Sequence, residues 1–250
     1  MSESTVSEST VSETKLSGST DRDLGDAVCS VQPREIVESA FRALCAAGAD
    51  PAEAQEGGLA VLRAEVDSKN GLGLLEQLLA ADWAQPVRAA ATRSTAWAGV
   101  TVHELDCPDQ PALRSAMQLI DLAASCGAEE VRVSRTTVSG IPRPLWNDLL
   151  LRRSANLQHT IIVAISSTAG TEYLSVQQGS VTSESEPPSA ALAASLLPPS
   201  DGENTVVVVL PGTAGAGRQD ADICQNPLKV SDHEWRRMYQ LSRTYLMADR

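Results

Sequence analysis

Lysine is nearly missing from this chain. Only Lys15, Lys69 and Lys229 stand among its 20 basic residues, against 32 carboxylates, for a formal net charge of −12. Proteins that bind nucleic acid concentrate Lys and Arg on one face or along one helix. Here Arg152–Arg153 and Arg236–Arg237 are isolated pairs, so no nucleic-acid partner is expected. Aromatic residues are also scarce, with Phe41 the only Phe beside four Trp and three Tyr. The core must therefore rest on Leu, Val, Ile and Ala, whose smaller side chains bury less apolar area each. The cysteines, Cys29, Cys45, Cys107, Cys126 and Cys224, are odd in number and form no C-x-x-C. That spacing suits neither a structural zinc nor a disulfide framework and fits reduced thiols. No apolar run approaches the roughly twenty residues needed to cross a bilayer. The polar, acidic N-terminus is the opposite of a secretory leader. These absences together predict a cytoplasmic chain without membrane contact.

What is present divides the chain into an N-terminal tail (1–31) and one α/β domain (32–250). The tail opens on SESTV, SESTV and SETKL, with Glu3, Glu8, Glu13, Asp21, Asp23 and Asp26 against Lys15 and Arg22. A Ser/Thr/Glu-rich segment with so few large apolar residues cannot offset its ordering entropy, so disorder is expected. The domain then reads as a helical cap (32–82) followed by a sheet-containing part (95–250). Pro33 suits a first helical turn, and Ile36, Val37, Ala40, Phe41, Leu44 and Cys45 recur at helical spacing. Asp50, Pro51 and Glu53 have the pattern of an N-cap, a first turn and a capping box for a helix to about Val66. Within it Gly57–Gly58 weakens helix propensity, which points to a close helix–helix approach. A third helix spans roughly Gly71 to Ala81, with Leu72, Leu75, Leu78 and Leu79 inward.

Beyond the cap, strands are expected at Trp97–Leu105, Val131–Val138, Thr160–Ile165, Glu172–Gln177 and Thr205–Leu210. Helices are expected over Pro111–Cys126, about Leu145–Ser154, and from Ser231–Asp232 onward. Gly179–Asn204 reads as a surface loop or short helix. The fold class is thus α+β or α/β, a three-helix cap on a mixed sheet.

No motif announces a chemistry. Pro211–Gly217 (PGTAGAG) follows a strand, but no helix follows and there is no G-K-[ST], so a flexible loop is the better reading than a phosphate cradle. His103, His159 and His233 lie far apart, and no metal set is assigned. His103 and Cys107, four apart on a strand, would lie about 13 Å apart and form no dyad. Arg243, Tyr245 and Arg250 cluster at the C-terminus and could clamp a carboxylate or phosphate, because Arg forks match such anions. The plainer reading is a helix end whose dipole favours cations. His103, Arg243 and Tyr245 are the candidate catalytic residues, and no cofactor can be named.

The stretch IVESAFRALCAAGADPAEAQEGGLAVLRAEVDSKNGLGLLEQLL resembles the opening of an uncharacterised bacterial family. Its members have an A-E-E-A-G-like helix and a G-L-x-x-L-x-x-L-L helix. Glu53, Ala54, Glu56 and Gly57 match the first; Gly71, Leu72, Leu75, Leu78 and Leu79 match the second. Arg243, Thr244 and Tyr245 resemble the R-T-Y-V-P-like stretch near that family's end, although the Gly-rich acidic tail that follows it is missing here. The resemblance implies a bacterial origin and an architecture but no activity. The first helices also resemble those of the malate/lactate dehydrogenases unrelated to the Rossmann type. Those enzymes carry Ser-His-Gly after an acidic helix end, where Asp67-Ser68-Lys69-Asn70-Gly71 has no His.

Two functions remain open. A protein partner or a homo-oligomer is expected; one function is an accessory protein of bacterial small-molecule metabolism or biosynthesis, acting through a partner enzyme. The other is an enzyme or metabolite-binding domain whose site is assembled from separated segments.

Overall fold

Asp50 accepts from the Ala52 amide at 2.9 Å, and Glu53 Oε2 accepts from the Asp50 amide at 3.4 Å. These bonds satisfy amides that a helix start leaves without partners, and helix α2 runs Pro51–Ser68. Before it lies α1 (Pro33–Ala46), where Glu35 reaches back to the Gln32 amide at 2.8 Å. After it lies α3 (Gly71–Leu79). The expected cap of three helices is present. The computed structural model describes residues 27–84, 91–97, 100–106, 110–124, 131–137, 140–157, 160–177, 180–186, 204–210 and 226–247. The tail up to residue 26, the loop Pro211–Gly217, His159, Cys107 and Arg250 lie outside the described residues.

The Gly57–Gly58 pair has the packing reason anticipated for it. A Cβ on Gly58 would lie 2.8 Å from the backbone oxygen of Val37 on α1. One on Gly57 would lie 2.5 Å from Leu44 Cδ1. At Gly58 the neighbour is backbone, so a larger residue there would push the two helices apart, whereas at Gly57 the Leu44 side chain would have to move. In α3 the inward residues are Leu74, Leu75 and Leu78, whereas Leu72 and Leu79 are half-buried, a shift of part of the stripe.

Among the described residues, seven strands form the main sheet: β2 (Ala91–Trp97), β3 (Val100–Asp106), β4 (Arg132–Thr136), β5 (Thr160–Ser167), β6 (Gly170–Gln177), β7 (Ser180–Glu184) and β8 (Asn204–Leu210). Their spatial order is β2-β3-β4-β8-β5-β6-β7. Of these pairs only β3 and β4 run parallel, as their crossover helix α4 (Ala112–Ala124) requires. Helix α5 (Arg143–Leu157) carries the chain from β4 to β5. The late strand β8 inserts antiparallel between those two. TVVVVL is buried along nearly its whole length, as a central strand whose alternate side chains feed the two buried groups described below.

Sheet alternation sorts side chains into two buried groups. Leu105, Ile161, Val163, Leu174, Val207 and Val209 join α4, α5 and the cap in one core. Val102, Val133, Ile162, Ala164, Val206 and Val208 form a second cluster on the opposite face. A separate two-stranded sheet pairs β1 (Val28–Val31) with β9 (Leu228–Ser231), and α6 (Asp232–Arg243) follows at once.

Four residues assigned to the tail, Val28–Val31, are therefore a strand. The single strand expected over Trp97–Leu105 is instead the hairpin β2–β3, with Trp97 opposite Val100. ATRSTAW has no apolar alternation to reveal β2, because the strand forms one edge of the sheet. Among the described residues no helix is long and apolar enough to cross a membrane.

Candidate functional site

His103 is half-buried on β3, opposite Ser134 of β4. Val102 belongs to the outer cluster and Leu105 to the main core, so alternation places His103 on the helix-covered face. Arg243 closes α6, and Tyr245 lies in the 3-10 turn Thr244–Met247; both are exposed. Strand β3 packs against β2, β4 and α4, whereas the turn packs against α1 and α6. The fold thus sets Arg243 and Tyr245 beside each other and leaves His103 on a different layer. His233 is exposed in the first turn of α6, where Asp232 and Glu234 suit the helix dipole.

The densest ionic chemistry lies elsewhere, in a seam between the cap and the helices that cover the sheet. Arg114 of α4 grips Glu53 of α2 with two bonds, Nε to Oε1 at 2.5 Å and Nη2 to Oε2 at 2.8 Å. Arg114 and Glu53 are 3% and 8% exposed. The Glu53 bonds raise the Arg114 pKa further, against the opposing effect of burial. Its guanidinium also stands 6.0 Å from the Trp83 ring centroid, within cation–π range. Trp83 in turn donates to the Leu78 carbonyl at 2.8 Å. One side chain thereby ties the start of α2, the end of α3 and α4 together.

One turn along α2, Glu56 meets Arg152 of α5 at 2.7 Å. Arg152 also holds Asp148, with Nη2 at 2.5 Å and Nε at 2.9 Å. Burial pushes the Asp148 carboxyl up, with Arg152 pulling the other way. Arg152 is itself held above its ordinary value: burial opposes its charge, but Asp148 and Glu56 outweigh that effect. These groups were not singled out from sequence. Glu53 carried a capping signal and a place in the family-like motif but no site role, and its partner lies 61 residues away. A helix-stripe argument cannot pair residues across such a distance.

The segment Asp67–Gly71, which resembles the Ser-His-Gly stretch but lacks its His, spans the last residues of α2, the two-residue link Lys69–Asn70 and the first residue of α3. Lys69 caps α2 in the left-handed region at φ 55° and is exposed. Buried Glu65 accepts from the Gly71 amide at 3.1 Å. Burial raises the Glu65 carboxyl, and the Gly71 amide works against that rise. Beside Glu65 lies a small crevice between Ile36, Leu72, Trp235 and Met238. Its volume of about 10 Å³ gives room for about one water.

Cys29 and Cys45 are half-buried thiols whose pKa is pushed up by burial, which suppresses the reactive thiolate. Among the described residues no group of three or more His, Cys, Asp or Glu is arranged to hold a metal.

No family model and no curated protein matches the chain. Solved structures do. Malate dehydrogenase from Entamoeba histolytica superposes with a TM-score of 0.53 at 10% identity, covering 88% of this chain and 99% of that one. A dehydrogenase from Sinorhizobium meliloti gives 0.46 at 12% identity, covering 87% and 95%. Malate dehydrogenase from Pyrococcus horikoshii OT3 gives 0.42 at 11% identity, covering 89% and 66%. The first of these likenesses shows a shared fold.

Proposed function

We propose that this chain is an accessory protein of bacterial small-molecule metabolism, built on a malate dehydrogenase-like fold and acting through a partner enzyme. The observation that carries the reading is the segment Asp67–Gly71. Where the dehydrogenases it resembles have Ser-His-Gly, this chain places Lys69 as a left-handed helix cap, with Asn70 before the next helix. A general acid or base for hydride chemistry must present a titratable group near neutral pH at the carbonyl or hydroxyl oxygen of the substrate, and neither Lys69 nor Asn70 offers an imidazole. The seam supports the same reading. Its arginines and carboxylates are engaged with one another across α2, α4 and α5, where they hold the cap to the sheet layer. Resemblance to the uncharacterised bacterial family belongs to this proposal as its source of lineage.

A second reading, a metabolite-binding or catalytic chain, draws on the shared fold, since the match spans 99% of the Entamoeba histolytica enzyme. Native mass spectrometry of the protein purified gently from its own host separates the two. A stoichiometric second protein is expected. A lone chain or homo-oligomer carrying a small extra mass would overturn the accessory reading in favour of the second. So would NADH consumption by the pure chain with a 2-oxo acid.

A further inference from the structure

Glu65 is the least compensated carboxylate of the cap. It is 4% exposed, and among the described residues it accepts one bond, from the Gly71 amide at 3.1 Å, and forms no ion pair. The other buried carboxylates, Glu53 and Asp148, each hold an arginine. Glu65 lines the crevice beside α6, and Glu234 of α6 lines the same crevice. Two carboxylates thus border a space of about 10 Å³, room for about one water. The other walls carry no charge: Ile36 from α1, Leu72 from α3, Val230 from β9, and Trp235 and Met238 from α6. Burial holds the Glu65 carboxyl above its ordinary range. Glu234 adds to that rise, and the Gly71 amide and exposed Lys69 oppose it.

Helix α6 is the side of this contact that can move. Of its twelve residues only Met238 and Ser242 are fully buried, and elements with few buried groups open at low free-energy cost. Its ion pair to α3, Arg237 with Glu76 at 3.3 Å, is half-exposed on both sides and adds little.

We propose that the contact between α6 and the cap is a proton-controlled latch, closed while Glu65 carries a proton and loosened when Glu65 and Glu234 face each other as two charges across the crevice. A carboxyl raised in the closed form favours closure most below its ordinary 4.5. That contribution is lost as pH rises through the raised value. The Arg237–Glu76 pair acts in the opposite sense, because it weakens as pH falls into the carboxylate range. Loosening uncovers Ile36, Leu72, Trp235 and Met238, so the apolar surface presented to a partner grows with pH.

Hydrogen–deuterium exchange of the full chain tests this, read by mass spectrometry and corrected for the intrinsic pH dependence of exchange. Opening of peptides covering Asp232–Arg243 should rise at least about threefold between about pH 4.5 and about pH 7. A displacement of about half a pH unit already gives that factor. Peptides covering β8 should keep their protection, which separates a local latch from global unfolding. Glu65→Gln keeps an acceptor for the Gly71 amide and should remove the rise, leaving α6 closed at about pH 7. Glu234→Gln takes away the repulsion alone and should reduce the rise, so the latch stays testable even where Glu65→Gln does not fold. No rise in the parent, an undiminished rise in either variant, or loss of β8 protection in step with α6 would each overturn the proposal.

Discussion

Replacing Arg114 by Met tests whether the seam is a fastening or an incidental pairing. Arg114 and Glu53 are 3% and 8% exposed and share two bonds, so removing one partner leaves the other charged and without water. Breaking a buried pair in this way costs about 3–5 kcal/mol. Loss of the Trp83 contact adds to that, while Met keeps much of the Arg114 stem's packing. At a urea m-value of about 3 kcal/mol per M, the midpoint falls by about 1 M or more. Glu53→Gln should lose a similar amount, because it strands the buried Arg114 guanidinium without its counter-charge. The decisive arm is the double variant Glu53→Leu, Arg114→Met. Replacing both charges by apolar groups removes the stranded ion, and stability should recover by about 2 kcal/mol relative to the sum of the single losses. Urea titrations of the parent, the single variants Glu53→Leu and Arg114→Met, and the double variant complete the cycle. Single losses below about 1 kcal/mol, or additivity within about 0.5 kcal/mol, would refute the view that the two side chains act as one buried unit.

Other perturbations have definite signs. Gly58→Ala should lower stability by about 1–3 kcal/mol despite the better helix propensity of Ala, because the new methyl meets the Val37 backbone oxygen. A thermal melt reads this, and an unchanged or raised Tm would show that α1 gives way freely. Lys69 sits at φ 55° as a helix cap. Lys69→Gly should therefore stabilise by about 0.5–1 kcal/mol. A melt no higher than that of the parent would count against strain there. Glu172 bonds both Arg143 and Ser183. Burial raises its carboxyl, but these partners outweigh it and the net pKa lies below the ordinary 4.5. A depressed folded value stabilises above pH 4.5 and loses that contribution as pH falls through it. Glu172→Gln should therefore lower the urea midpoint more at about pH 7 than at about pH 3. An equal deficit at both values would deny the linkage.

The helical cap was legible in the sequence because its signals are local. Asp50, Pro51 and Glu53 mark a helix start within a single turn, and Gly57–Gly58 announced a close contact, though not its partner on α1. TVVVVL was readable as an interior strand from composition alone. Strands β1, β2, β7 and β9 were not, because edge or isolated strands carry no sustained period-two apolar pattern in their sequence. The insertion of β8 between β4 and β5 was equally hidden, since strand order depends on which edges meet in space. The same limit applied to the site. Chain position marked His103, Arg243 and Tyr245 as candidates, yet folding sets only the last two side by side. Meanwhile Glu53 and Arg114, unremarkable 61 residues apart, become a buried ion pair. Sequence by itself determined the helical cap, its helix starts and the interior strand TVVVVL, all fixed by neighbours a few residues away, and the acidic charge of the chain. Tertiary structure alone decided which charges meet in the core, because pairing across α2, α4 and α5 follows from helix packing and not from spacing along the chain.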